Sequence, residues 1–177
     1  MLLTLPCTLG ATQLRQLQGA DLLRFHAYRS NPVLARYQGW QPMSIAEADA
    51  FLVQMQQVSH LRAGHWVQLA IASAPSSMLV GDIGLFVSRD ASHAELGFTL
   101  HHAHHGQGHA SRAVQLALQL LFDIPSITLV EAVSDARNAP SINVLTRNGF
   151  RLARQQPAYF KGEHCTELVY QCLRAGG

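Results

Sequence analysis

His102-Ala103-His104-His105-Gly106-Gln107-Gly108-His109-Ala110 lies between a strand-like run, Ala94-Glu95-Leu96-Gly97-Phe98-Thr99-Leu100, and an amphipathic helical pattern from Ser111 to Phe122. Two glycines spaced G-x-G between a strand and a helix let the backbone curl and aim several N–H groups at one point. With the positive end of the helix behind them, those donors suit an anion such as a phosphate. The same spacing also serves an ordinary helix start, so its meaning depends on what the chain places opposite it.

Downstream, Pro125 breaks the helix and Thr-Leu-Val-Glu-Ala-Val (128–133) reads as a strand. A strand reached through a helix is a β-α-β crossover, so it lies parallel to the strand at 94–100. Asn138-Ala139-Pro140-Ser141 then opens another helix, with Asn138 as cap and Pro140 tolerated in a first turn. Asn148-Gly149 closes it. In such a unit the carboxyl ends of both strands and the amino ends of both helices face one side. The Gly106/Gly108 loop, Asn138 and Ser141 are therefore expected to converge on one cleft.

Upstream, Gln13–Leu17 alternates polar and apolar, the period of a half-buried edge strand. A short helix follows to Tyr28, with Asp21 as its cap candidate, and Asn31-Pro32 breaks it before another brief turn at 33–38. Ser44-Ile45-Ala46-Glu47 is a capping box, and its helix is expected to run to about His60, burying Ala48, Phe51, Leu52, Met55 and Val58. Residues 66–72, 78–87 and 94–100 form an antiparallel meander, in which Gly81 and Gly84 suggest a bend or a close backbone approach. Residues 150–153 and 167–173 finish the chain as two strands. No repeat, low-complexity linker or second domain is visible, so residues 1–177 are expected to form one domain.

The bulk properties narrow the function. Apolar residues make up 48% and charged residues 14%, which suits a globular protein rather than a disordered one. A net charge of +2, with Lys161 the only lysine among 13 basic residues, argues against nucleic acid or a membrane surface as partner. Cys7, Cys165 and Cys172 are an odd set without C-x-x-C spacing, which points to free thiols in a reducing compartment. The start Met1-Leu2-Leu3-Thr4-Leu5-Pro6-Cys7 lacks the basic region and length of a signal peptide, and no apolar run reaches a membrane span. A cytoplasmic protein is expected.

Three blocks of residues resemble the GNAT superfamily of acyl-CoA-dependent N-acyltransferases. They are Ala94-Glu95-Leu96-Gly97-Phe98, then His105-Gly106-Gln107-Gly108-His109-Ala110, and then Asn138-Ala139-Pro140-Ser141-Ile142-Asn143-Val144-Leu145 with Asn148-Gly149-Phe150. Leu14-Arg15 and Asn31-Pro32-Val33 before Trp40 are similar to the RimJ/RimL-like branch of ribosomal-protein N-terminal acetyltransferases. The resemblance implies an α/β (α+β) GNAT fold. Its sheet would have about seven strands, mixed but mostly antiparallel, splayed between the fourth and fifth strands and flanked by about four helices.

It also implies acetyl-CoA as co-substrate, with the pantetheine arm in the splay. Phe98, Thr99 and Leu100 would bond the arm through their backbone. His105, Gly106, Gln107, Gly108, His109 and Ala110 would hold the pyrophosphate, with Asn138 and Ser141 along the other side. The chain departs from the family at two places. Ala103 stands where the loop pattern has Gln or Arg, and Arg112 where the branch places a glutamate.

Acyl transfer from a thioester to an amine needs a neutral nitrogen, a polarised carbonyl and a protonated leaving thiolate. A lysine amine, with a pKa of about 10.4, is neutral about once in 2,500 molecules at pH 7, a cost of roughly 4.6 kcal/mol. An α-amine at about 7.7 costs about 1 kcal/mol. Glu95 is the candidate base, or else an outward-facing strand carboxylate. Ser141 is a candidate acid for the leaving sulfur, or else a support of its helix's first turn, and Tyr159 is a second candidate acid. Five histidines between His101 and His109 show HxH and HxxH spacing, but no Asp, Glu or Cys accompanies them, so no metal is expected there.

The resulting expectation is an acetyl-CoA-dependent N-acetyltransferase acting by direct attack in a ternary complex. The acceptor would be a primary amine, a protein N-terminal α-amine by branch resemblance. The alternatives are a small-molecule amine or antibiotic as acceptor, or a non-catalytic acyl-CoA-binding module. Monomer and homodimer both fit.

Overall fold

A computed structural model describes residues 4–58 and 60–174. The apolar start Met1-Leu2-Leu3 and Ser59, near the expected end of the capping-box helix, lie outside the described residues. The strands are β1 (Cys7–Leu9), β2 (Thr12–Gln16), β3 (Trp66–Ser73), β4 (Met78–Val87), β5 (His93–Leu100), β6 (Leu129–Asp135), β7 (Arg151–Phe160) and β8 (Glu163–Leu173). The helices are α1 (Leu22–Arg29), α2 (Pro32–Ala35), α3 (Ile45–Gln56), α4 (His109–Phe122) and α5 (Ala139–Arg147). The strands form one sheet in the order β1-β2-β3-β4-β5-β6-β8-β7. Every neighbouring pair is antiparallel except β5 and β6, which are parallel, as a crossover through α4 requires.

The sheet has eight strands rather than about seven because Cys7–Leu9 pairs outside β2, and β2 is consequently not an edge. Five helices stand where about four were expected, counting the brief turn anticipated at 33–38, which forms as α2.

Helices cover both faces. On one side Leu96, Ala113, Val114, Ala117, Leu121 and Val130 belong to a large core built around α4, all nearly inaccessible to solvent. On the other, Phe25, Tyr28, Ala48, Leu52 and Met55 of α1 and α3 pack on Ala70 and Leu79. The capping box of α3 forms as expected, with Ser44 Oγ accepting from the Glu47 amide at 3.3 Å. That helix ends at Gln56, and Phe51 and Val58 are only partly buried.

Asp21 does not cap α1. Its carboxylate instead takes two bonds from Arg15, at 2.7 and 2.8 Å, and one from the Gln18 amide. A second buried ion pair joins the two layers. Asp82 of β4 accepts from Arg29 Nε at 3.0 Å, from Arg29 Nη2 at 2.6 Å and from Tyr28 Oη at 2.6 Å. Gln68 Nε2 also donates to it. Burial together with the Asp82 carboxylate pushes the Tyr28 hydroxyl well above its ordinary pKa.

Gly81 marks a close approach. A Cβ there would lie 2.3 Å from the Thr99 carbonyl oxygen, so only glycine lets β4 meet the end of β5.

Candidate active site

The site originates in a short register. β5 and β6 pair only at His93–Leu129, Ala94–Val130 and Glu95–Glu131. Past Glu95, β5 continues on β4 while β6 continues on β8, so the sheet opens like a wedge toward the carboxyl ends of both strands. The separation leaves one side of the β5 backbone, from Leu96 to Leu100, without a strand partner and able to bond a ligand.

A cleft of about 560 Å³ occupies this opening. Phe98, Thr99, Leu100, His105, Gly106, Gly108, His109, Ala110, Asn138 and Ser141 all line it. Gln107, Glu95 and Tyr159 do not.

The loop at its mouth is held from within. His101 Nδ1 accepts from the Ala103 amide at 3.1 Å, capping the single 3₁₀ turn at 102–104. His105 Nε2 lies 3.1 Å from the Leu100 carbonyl, which places the ring proton on Nε2. Gln107 turns away from the cleft and its side chain donates to the Ala103 carbonyl at 3.1 Å. Gly106 and Gly108 hold φ of 75° and 78°, conformations that favour glycine. Gly108 is the N-cap of α4, and the amides from Gly106 to Ser111 have no acceptor among the described residues. Those orphan donors at a helix N-terminus fit an anionic head group, and the bare edge of β5 fits an amide-bearing arm.

His109 is buried, with Nδ1 2.9 Å from Thr12 Oγ1. Desolvation first, then His104 and Arg112, lowers its pKa below the usual imidazole value. The histidine rings contact one another, His101 with His102 at 4.4 Å and His104 with His109 at 6.3 Å. Among the described residues no three His, Cys, Asp or Glu side chains are grouped as a metal would need.

Across the wedge, Asn138 Oδ1 accepts from the Ser141 amide at 3.4 Å and starts α5. The Ser141 hydroxyl has no described partner and borders the cleft. Glu95 is half-buried at the last paired position before the splay, directly in register with Glu131, and Gln171 Nε2 bonds Glu131 at 2.7 Å. Tyr159 is 69% exposed near the β7–β8 turn, its ring edge-on to His164.

The roof comes from the front helices and the 150–162 region, as expected for the acceptor end, but its individual residues carried no mark in the sequence. Val33, Leu34, Tyr37 and Gln38 line the cleft from α2 and the turn after it. The β7–β8 hairpin ties this segment down, since Lys161 Nζ donates to the carbonyls of Ala35 and Trp40, both at 2.6 Å. Glu163 accepts from Arg137 at 3.0 Å and pairs with Arg36 at 3.6 Å, and the two arginines flank the Tyr37 ring. Arg137 in turn holds the Asp135 carboxyl below its usual range. Trp40 Nε1 donates to Thr99 Oγ1 at 3.2 Å with the Arg29 guanidinium against its ring. Pro140, Asn143, Val144 and Arg147 were also unassigned, although their spacing along α5 continues the face of the helix that Asn138 begins.

Residues 12–151 match the model of the acetyltransferase (GNAT) domain. An uncharacterized N-acetyltransferase p20 of Bacillus licheniformis is 27% identical over 137 residues, 77% of this chain and 75% of that protein. The ribosomal-protein-S5-alanine acetyltransferase of Vibrio fischeri superposes with a TM-score of 0.80 at 16% identity, covering 97% of this chain and 98% of that one. The spermidine N-acetyltransferase of Vibrio cholerae, solved with CoA and spermine, gives 0.77 at 18% identity, covering 92% and 95%. At such identities the two structures share the fold with this chain, and two different amines are served by it. A wedge in a mixed sheet, a glycine loop of unpaired amides at its mouth and a family match over most of the length lead to one conclusion: the chain belongs to the GNAT acetyltransferase family, acyltransferases that use acetyl-CoA as co-substrate.

Proposed function

We propose that this enzyme acetylates the α-amine at a protein N-terminus, as the RimJ/RimL-like branch does, by direct attack in a ternary complex. The observation that carries the reading is the cleft lining, which contains no aspartate or glutamate. A polyamine or aminoglycoside brings several cations, and their desolvation calls for facing carboxylates. A single α-amine does not, and it reaches its neutral form at a cost of about 1 kcal/mol at pH 7.

In this reading acetyl-CoA supplies an activated acetyl group whose leaving group is a thiolate. The amides from Gly106 to Ser111 hold the pyrophosphate, with His105 and the buried His109 beside them. The backbone of Phe98, Thr99 and Leu100 orders the arm along β5, and Asn138 and Ser141 border its other side. Glu95 accepts the amine proton through water, because it stands beside the wedge rather than on its wall. Ser141 Oγ gives a proton to the departing sulfur, and Tyr159 is the second candidate for that role. The hairpin-tethered roof of Leu34, Tyr37 and Gln38 bounds the acceptor end.

A thiol-release screen with acetyl-CoA tests this. Peptides with a free N-terminus are expected to turn over, and Nα-blocked lysine peptides, spermidine and aminoglycosides are not. Turnover confined to small amines would refute the N-terminal reading, and no turnover with any amine would favour a binding module.

A further inference from the structure

The cleft does not end at the glycine loop. A second cavity of about 480 Å³ lies on the outer side of the first turns of α4, and Gly108, Ser111 and Arg147 line both. One molecule can therefore run from the first into the second without leaving the protein surface. The remaining lining includes Arg112 and Gln115 of α4 and the glycine turn between β1 and β2. Gly108, Ser111, Arg112 and Gln115 form one stripe of the helix, about 10 Å long at 1.5 Å per residue.

The stripe is positive and uncompensated. No aspartate or glutamate lines the second cavity, and neither Arg112 nor Arg147 has a carboxylate partner among the described residues. Arg112 is held in place, its Nη1 donating to the Gln107 carbonyl at 3.0 Å. Its guanidinium lies so close over the loop that a Cβ on Gly108 would meet Nη1 at 3.2 Å. Arg147 approaches from the last turn of α5. Two guanidiniums converging from different helices on a carboxylate-free cavity suit a doubly charged phosphate monoester, which they bind with directed N–H donors.

We propose that Arg112 and Arg147 form a site for the 3′-phosphate of coenzyme A and make the enzyme select CoA over its 3′-dephospho form. This rests on the reading that the pyrophosphate occupies the amides of the glycine loop. With the diphosphate there, the 3′-phosphate is the remaining anionic group of the molecule, and the second cavity begins at the same glycine. Gln115, two turns into α4, offers an amide to the adjoining ribose or base.

Calorimetric titration with CoA and with 3′-dephospho-CoA tests the assignment. The wild type is expected to bind CoA about tenfold more tightly at low salt, with the gap narrowing as salt screens the phosphate. In the Arg112→Gln/Arg147→Gln double variant the ratio falls toward one, the ratio being the readout because Arg147 also lines the first cleft, and Arg154→Gln on β7 leaves the ratio unchanged. Equal wild-type affinities, or a ratio that survives the double substitution, would overturn the proposal while leaving the loop reading intact. Failure of the wild type to bind either compound would overturn both.

Discussion

Replacing Glu95 by Gln keeps the side chain's size and removes its charge, and the position of Glu95 on β5 sets the size of the effect. It is the last residue paired to β6, half-buried, and off the cleft wall, so in the proposed mechanism an amine proton would reach it through water. General bases contribute about 10²–10⁴ in rate, and a relayed carboxylate belongs at the low end, about 100-fold. The acceptor sets a lower bound. At pH 7 about one α-amine in six is neutral, so leaving deprotonation to solution costs roughly sixfold. Glu95→Gln should therefore lower kcat/KM for an N-terminal peptide by about 6- to 100-fold at pH 7. The deficit should close as pH rises past about 8, where the free amine is already neutral. Thiol release at saturating acetyl-CoA, followed from pH 6 to 9.5, measures it. Unchanged turnover at pH 7 removes Glu95 as the base, and a deficit that persists undiminished to pH 9.5 contradicts the low-pKa acceptor.

Asp82→Asn leaves the Arg29 guanidinium, 3% exposed, without its counter-charge, which should cost about 3–5 kcal/mol. At about 2–4 °C per kcal/mol the melting temperature falls by roughly 6–20 °C. Arg29→Met/Asp82→Leu should recover much of that loss, and a double variant as unstable as the sum of the singles would show the pair is not coupled. Gly108→Val places a β-branched residue at a φ of 78° against the Arg112 guanidinium. It should weaken CoA binding at least tenfold, whereas Gly106→Ala, whose Cβ meets nothing within 4 Å, should add backbone strain of about 1 kcal/mol and little else. The lowered pKa of His109 means that the folded state disfavours its protonation. The resulting stability is complete above the unfolded value of about 6.5 and is lost as pH falls through the lower folded one. Melting curves between pH 7.5 and 5.5 should be shallower in pH for His109→Asn than for the wild type. Protonation of His109 beside the phosphates should tighten CoA binding as pH falls through its lowered pKa, and a dissociation constant unchanged between pH 8 and 5 would refute that.

The central β-α-β unit was legible because its signals are local. Periodicity located β5, α4 and β6, and Asn138 and Gly149 bracketed α5 with a cap and a positive φ of 82°. What escaped depends on contacts between distant segments. Cys7–Leu9 is too short, within an apolar run, to announce itself as β1. β7 runs to Phe160 although most of its residues are exposed, because backbone pairing to β8 rather than burial forms it. Asp21 has the composition of a cap, and only the fold brings Arg15 to it. Asp82 sits inside a strand pattern that gives no hint of Arg29 and Tyr28 above it. The segments of the cleft roof were legible but its individual residues were not, since Lys161 reaches Ala35 across 126 residues of chain.

Acetylating a peptide that carries both a free N-terminus and an internal lysine, and locating the added acetyl group by fragmentation mass spectrometry, tests the central claim most directly. The account predicts an acetyl on the α-nitrogen and an unmodified lysine at pH 7. Acetyl on the lysine side chain, with the N-terminus free, would contradict it.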